Sequence, residues 1–170
     1  MKVLVTAASK HGSTSEIAAA IGDLLQERGA DVLVIPPEAV EDVADYDAVV
    51  LGSAIYAGRW RKSANEFVAR NISQLSKREV WLFSSGPLGD PPKPAEELAD
   101  AASIIDATRP QEHRVFAGKL NRGKLNFGER ALVKGVGADY GDFRDWVEIR
   151  QWASHIADEL QLIGEEAQVR

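Results

Sequence analysis

The chain has 170 residues with 45% hydrophobic and 27% charged residues, values that fit one globular domain spanning residues 1–170. Its net charge of −6 argues against nucleic acid as a partner. With no cysteine, disulfides, thiolate catalysis and cysteine-ligated metals are excluded, so any redox chemistry rests on a bound cofactor.

No stretch approaches the roughly 18 apolar residues of a membrane span. Met1-Lys2 leads into only Val3-Leu4-Val5 before polar Ser9, Lys10 and His11, which is not a signal peptide, and a cytoplasmic location is expected. The first strand is that short run. A helix follows from Ser13, where Ser13 and Glu16 have the spacing of a capping box; Ile17, Ile21, Leu24 and Leu25 share one face, and Gly29 ends it. Val32-Leu33-Val34-Ile35 is the second strand. Pro36-Pro37 argues against a full helix after it, leaving room for one short turn.

Ala48-Val49-Val50-Leu51 is the third strand. A helix from Ser63, with Glu66 in the capping relation, carries Phe67, Val68, Ile72 and Leu75. Val80-Trp81-Leu82-Phe83 is the fourth strand. A helix then begins at Pro94, with Leu98, Ala102 and Ile105 on its apolar face. Val115-Phe116-Ala117 is the fifth strand, and the last helix runs from about Phe143 to Ile163 through Trp146, Ile149, Ala153, Ile156 and Leu160. The strand runs are continuous rather than alternating, the pattern of strands buried on both faces. The β–α alternation predicts a doubly wound α/β sandwich of three layers on a five-stranded parallel sheet. Ligands of such sheets sit beyond the carboxyl ends of the strands, so the loops after strands one, three and four are the candidate site.

The loop Thr6-Ala7-Ala8-Ser9-Lys10-His11-Gly12-Ser13-Thr14 places small hydroxyl residues and one glycine at a helix N-terminus. Such a terminus presents unpaired N–H groups and a partial positive charge, and so suits a phosphate. Neither G-x-G-x-x-G nor G-x-x-x-x-G-K-[ST] is present, so a terminal monophosphate fits better than a pyrophosphate. The competing reading is that Ser13 and Thr14 simply cap the helix. Lys10 and His11 are expected to face solvent at the loop tip, the alternative being His11 against the phosphate.

Ser9-Lys10-His11-Gly12-Ser13-Thr14-Ser15-Glu16 resembles the phosphate loop and first helix of the flavodoxin superfamily, with His11 where Thr is common and Ser13 where Asn is common. Gly52-Ser53-Ala54-Ile55-Tyr56-Ala57-Gly58-Arg59-Trp60-Arg61-Lys62 is similar to the corresponding loop of the menaquinone-dependent protoporphyrinogen dehydrogenase branch. So are Val115-Phe116-Ala117-Gly118-Lys119-Leu120 and Asp142-Phe143-Arg144-Asp145-Trp146. The resemblance implies strand order 2-1-3-4-5 and an FMN protein that oxidises a porphyrinogen and passes electrons to a quinone.

It further implies a phosphate held by Ser9, Lys10, His11, Gly12, Ser13 and Thr14. The isoalloxazine ring would lie between Ala54, Ile55, Tyr56, Ala57 and Gly58 on one side and Ser84, Ser85, Gly86 and Pro87 on the other. Tyr56 or Trp60 would stack on the ring; the alternatives are Tyr56 at the rim and Trp60 packed beneath its loop. A pure electron carrier, or a deazaflavin coenzyme in place of FMN, is the rival reading. The cluster Lys10, Arg59, Arg61, Lys62 and Lys93 favours an anionic substrate over a basic protein partner.

Between Lys119 and Lys134, five basic residues face one acidic residue, Glu129, with Leu120, Leu125, Phe127, Leu132 and Val133 interspersed. The favoured reading is a solvated helix packing its apolar face on the domain. The alternative is a peripheral docking surface for an anionic partner or a membrane. His113 and His155 read as structural, and no residue is assigned acid–base catalysis.

Overall fold

The computed structural model describes residues 1–56, 58–86, 99–135 and 137–168. Five parallel strands, β1 (Lys2–Ala8), β2 (Asp31–Val34), β3 (Ala48–Tyr56), β5 (Glu79–Ser85) and β6 (Glu112–Phe116), run in the order β2-β1-β3-β5-β6. This is the expected 2-1-3-4-5 sheet. It gains a short sixth strand, β4 (Arg59–Trp60), which folds back antiparallel on the end of β3, pairing Trp60 with Ile55.

Helices cover both faces. Helix α1 (Ser13–Glu27) and helix α5 (Trp146–Gln168) pack on one side, where Ile17, Ile21, Leu25, Ile149, Trp152 and Ile156 meet Val3, Val5, Trp81 and Phe83. Helix α2 (Lys62–Leu75) and helix α3 (Ala99–Thr108) cover the other, where Phe67, Leu75 and Ile104 meet Leu4, Val49, Leu51 and Leu82. The alternation of Val3 and Val5 against Leu4 is the period-two geometry of a strand buried on both faces. Between β2 and β3 there is one 3-10 turn, Pro37–Ala39, opened by the proline at its first position.

The edge strands depart from expectation. Leu33, Val34 and Val115 are 40–42% exposed, because β2 and β6 each have a neighbour on one side only. Apolar residues alone do not distinguish an edge from a centre.

Two capping boxes are also corrected. Helix α1 is capped at Gly12, whose φ of 91° needs glycine, and no side chain caps it. The Ser13 hydroxyl instead accepts from the Lys119 N–H at 3.2 Å. Helix α2 begins one residue early, at Lys62, and Glu66 pairs with Lys62 one turn back.

In α3 the buried positions are Ala101, Ile104 and Thr108; Ile105 packs partly buried against the same core as expected, while Ala102 is exposed. The expected start, Pro94 to Leu98, lies outside the described residues. Helix α5 starts at Trp146, three residues after the expected Phe143. Helix α1 ends as expected at Gly29, with the Ala30 N–H bonded back to the Leu25 carbonyl.

After β6 comes an excursion. Strand β7 (Lys119–Leu120) pairs antiparallel with β8 (Gly141–Asp142), and between them lie a 3-10 turn, Arg122–Lys124, and helix α4 (Phe127–Gly135). No helix among the described residues is long and apolar enough to cross a membrane.

Candidate functional site

At the carboxyl ends of β1, β3 and β5 lies a cavity of about 360 Å³, within the ~300–1,000 Å³ range of small-molecule sites. Ser9, Lys10, His11, Ser13 and Thr14 line it from the loop after β1; Ala54, Ile55, Tyr56 and Gly58 line it from the end of β3 and beyond. Ser85 and Gly86 contribute from the end of β5. Three separate loops thus converge where the sheet topology places a ligand.

The fourth wall comes from the excursion after β6. Leu120, Leu125, Leu132, Val133 and Ala138 close the cavity with apolar surface, joined by Gly118 and Lys119. The favoured expectation was a solvated helix packing its apolar face on the domain. Leu125, just before α4, is buried, Leu132 and Val133 of α4 line the cavity, and Phe127 is 88% exposed.

The loop from Ser9 to Thr14 brings several donors to the N-terminus of α1. The first-turn amides of α1, on Ser13, Thr14 and Ser15, have no carbonyl one turn earlier to bond. Thr14 is buried and lines the cavity. The Ser9 hydroxyl accepts from the Gly12 N–H at 3.1 Å, which curls the loop toward the helix. Lys124 donates to the His11 carbonyl at 3.1 Å, and its Nζ is 3.9 Å from the point where a Cβ would stand on Gly12. The donor set is that of an anion cradle: free amides, a hydroxyl, a helix N-terminus and a nearby ammonium.

Lys10 is exposed, as expected, and His11 is half-buried. Both reach Glu129 of α4, Lys10 as an ion pair and His11 through Nε2 at 3.2 Å. The Tyr56 hydroxyl donates to the same oxygen, Glu129 Oε1, at 2.6 Å, and the Lys10 ammonium lies 4.7 Å from the Tyr56 ring centroid. Lys10 first, then Tyr56 and the Asn126 amide, hold the Glu129 carboxyl well below the ordinary carboxylate range. Burial, then the hydrogen bond to Glu129, pushes the Tyr56 phenol up to about 12.

Sequence reasoning noted Glu129 only as the single acid in a basic stretch. The available signal was Asn126-x-x-Glu129, the spacing of a capping box. It is one: the Asn126 N–H donates to Glu129 Oε2 at 2.8 Å, and the Glu129 N–H to Asn126 Oδ1 at 2.9 Å.

Trp60 and Ser84 are not in the cavity wall. Trp60 is 3% exposed and packs beneath its loop, among Leu51, Ala64 and Leu82. Its indole Nε1–H donates to Ser84 Oγ at 2.8 Å, and Ser84 Oγ lies 2.9 Å from His113 Nε2. An indole can only donate, so Ser84 Oγ accepts from Trp60, and the ring tautomer sets whether it donates to or accepts from His113 Nε2. Burial lowers the His113 pKa and so favours the neutral imidazole.

The unfolded chain, but not the folded one, takes up this proton just below the ordinary value of about 6.5. Stability contributed by neutral His113 is therefore complete above that pH and declines as pH falls through the lowered folded value. In His113→Leu, denaturation midpoints measured at pH 7.5 and 5.5 should lie closer together than in wild type. An equal separation in both proteins would remove the histidine from the acid response.

Of the expected residues, Gly12 sits behind the cradle as the turn that aims α1, and Ala57, Pro87 and Lys93 lie outside the described residues. The basic cluster is reduced. Lys10 is neutralised by Glu129 and Lys62 is paired with Glu66, leaving Arg59 and Arg61, to which the excursion adds Lys119 and Lys124.

A flavodoxin-domain family model matches residues 4–145, most of the chain and every wall of the cavity. The chain belongs to the flavodoxin-domain family. Protoporphyrinogen IX dehydrogenase [quinone] of Escherichia coli K12 is 23% identical over 172 residues, covering 92% of this chain and 95% of that protein. Among solved structures, an archaeal flavodoxin superposes with a TM-score of 0.65 at 18% identity, covering 95% of this chain and 99% of its own. The flavodoxin of Megasphaera elsdenii, in its two-electron reduced form, superposes with a TM-score of 0.56 at 23% identity, covering 69% and 85%. At these identities the superpositions establish the flavodoxin fold, which the strand order already gives.

Proposed function

We propose that this chain binds FMN and acts as a flavin-dependent oxidoreductase, oxidising protoporphyrinogen or a similar donor and passing electrons to a quinone. The observation that carries this reading is the single cavity joining an anion cradle at the N-terminus of α1 to the loops after β3 and β5. The residues fit the group. Ser9, Ser13, Thr14 and the first-turn amides suit its phosphate. Tyr56 offers a flat aromatic face, and Gly58 and Gly86 admit close backbone approach.

FMN would supply the electron-transfer chemistry, and the protein orientation, electrostatics and exclusion of water. The apolar wall of Leu120, Leu125 and Val133 supports a hydrophobic reaction partner, and Arg59, Arg61, Lys119 and Lys124 support an anionic one. The similarity to the E. coli dehydrogenase, which spans nearly both chains, supports the porphyrinogen and quinone assignment.

The test is the visible spectrum of the purified protein, with mass spectrometry of what it releases on denaturation. Release of FMN is the expected result. Reduction of a quinone by the protein with protoporphyrinogen as donor should follow. A deazaflavin coenzyme in the released fraction would retain the fold and replace the cofactor. FMN bound without turnover of either small molecule would make the chain an electron carrier, and a colourless protein that refuses added FMN would end the flavin reading.

A further inference from the structure

Helix α4 forms part of the cavity's outer wall, yet it is weakly attached by apolar contact. Its one residue buried below a tenth of its surface is a carboxylate, Glu129, while Phe127 and Leu132 on the same helix are exposed. A nine-residue helix in water is marginal without tertiary support. What holds this one against the domain is largely polar.

The two Glu129 oxygens divide the work. Oε2 accepts from the Asn126 N–H and completes the cap of α4 itself. Oε1 takes the Lys10 ammonium, His11 Nε2 and the Tyr56 hydroxyl. Those three come from the two loops that the proposed function assigns to the phosphate and the ring. They are 118 or 119 residues away in sequence for the first loop and 73 for the second. A buried carboxylate accepting several charge-assisted bonds is fixed in place far more firmly than a surface ion pair.

We propose that Glu129 is a positioning residue, whose Oε1 latches helix α4 across the mouth of the cavity and thereby controls retention of the bound cofactor. The same contact holds the Tyr56 ring and the Lys10 ammonium in one arrangement. The part concerning cofactor retention rests on the FMN reading above; the latch itself does not.

The experiment uses the full chain. Glu129→Gln keeps an oxygen for the Asn126 N–H, since glutamine also completes a capping box, and turns an amide group toward Lys10 and Tyr56. Amide hydrogen exchange of the FMN-free protein is expected to quicken in helix α4 by about tenfold or more, with the central strands unchanged. FMN release from the loaded protein, followed by recovery of free-flavin fluorescence, should quicken by a similar factor. In combination with Lys10→Gln the two effects should be less than additive, because both changes break one contact.

Asn126→Ala is the control: it removes a side chain of the cap and leaves the latch. It should loosen the first turn of α4 without speeding FMN release. Unchanged exchange in Glu129→Gln overturns the proposal. So does release that quickens equally in Asn126→Ala, which would make capping the whole role of Glu129. A wild-type protein that takes up no FMN would remove the flavin reading, and the exchange comparison would then decide the latch.

Discussion

Replacing Gly52 by valine should lower stability by about 3 kcal/mol, the upper range for overpacking a closed core, and reduce the melting temperature by roughly 6–12 °C for a chain of this size. Gly52 lies in the middle of β3, paired with Phe83 on β5 and with Ala7 on β1. A Cβ added there would fall within the Phe83 ring, overlapping Cζ, Cε1 and Cε2. That ring cannot swing aside. It is fully buried and packs against Phe116 and Trp152, whose centroids are both 6.1 Å away. A glycine inside a strand normally weakens it, but here it is the space a neighbouring aromatic occupies. The check is thermal denaturation of Gly52→Val alone and with Phe83→Leu. The double variant should lose less than the two single losses added, because the smaller side chain vacates the overlap. Wild-type melting in Gly52→Val would show that the strands separate freely here.

Arg144→Met should cost about 2–3 kcal/mol, several charge-assisted hydrogen bonds discounted for partners that remain partly in water. The Arg144 side chain is 3% exposed. It donates to Asp142 through Nε at 2.8 Å and Nη2 at 2.7 Å, and through Nη1 to Glu16 at 2.6 Å and the Ser13 carbonyl at 3.2 Å. Its guanidinium lies 4.5 Å from the Trp146 ring centroid. Methionine keeps much of the apolar stem and removes every donor.

The change should also alter the acid response. The hydrogen bonds from Arg144 hold both Glu16 and Asp142 below their ordinary pKa values. Lowered carboxylate pKa values add stability that is complete above the ordinary range, near pH 4, and is lost as pH falls through the folded values. The variant should therefore be weaker than wild type at pH 7 and approach it below about pH 4. Urea midpoints across that range decide it. A constant difference between the two proteins at all pH values would separate Arg144 from the two carboxylates.

The strands and the three converging loops were legible because they depend on local patterns. Val3-Leu4-Val5 and Val80-Trp81-Leu82-Phe83 carry the continuous apolarity of doubly covered strands, whereas the order came only with the flavodoxin resemblance. What the sequence did not disclose is which partner a polar side chain meets at long range. Ser13 and Glu16 have capping spacing, yet one serves Lys119 and the other Arg144, partners more than a hundred residues away. Trp60 reads equally well as a ring-stacking residue or a core residue, and only the bond to Ser84 places it in the core. The fourth wall was the largest omission. Its leucines and valine are scattered among cations, and no local period says that they line a cavity rather than a core.

The excursion after β6 also has a bearing on how this fold tolerates change. Its two ends are drawn together as a ladder rung, with Lys119 opposite Asp142 and the Phe143 N–H bonded to the Gly118 carbonyl at 3.1 Å. A segment that departs from and returns to one point is a replaceable cassette. Lengthening or trimming it between those anchors changes closure entropy only logarithmically, about 0.6 kcal/mol per doubling, and leaves the order of the parallel strands untouched. Natural or engineered variation in what this scaffold accepts is therefore expected to concentrate in residues 121–140, while the sheet beneath stays the same.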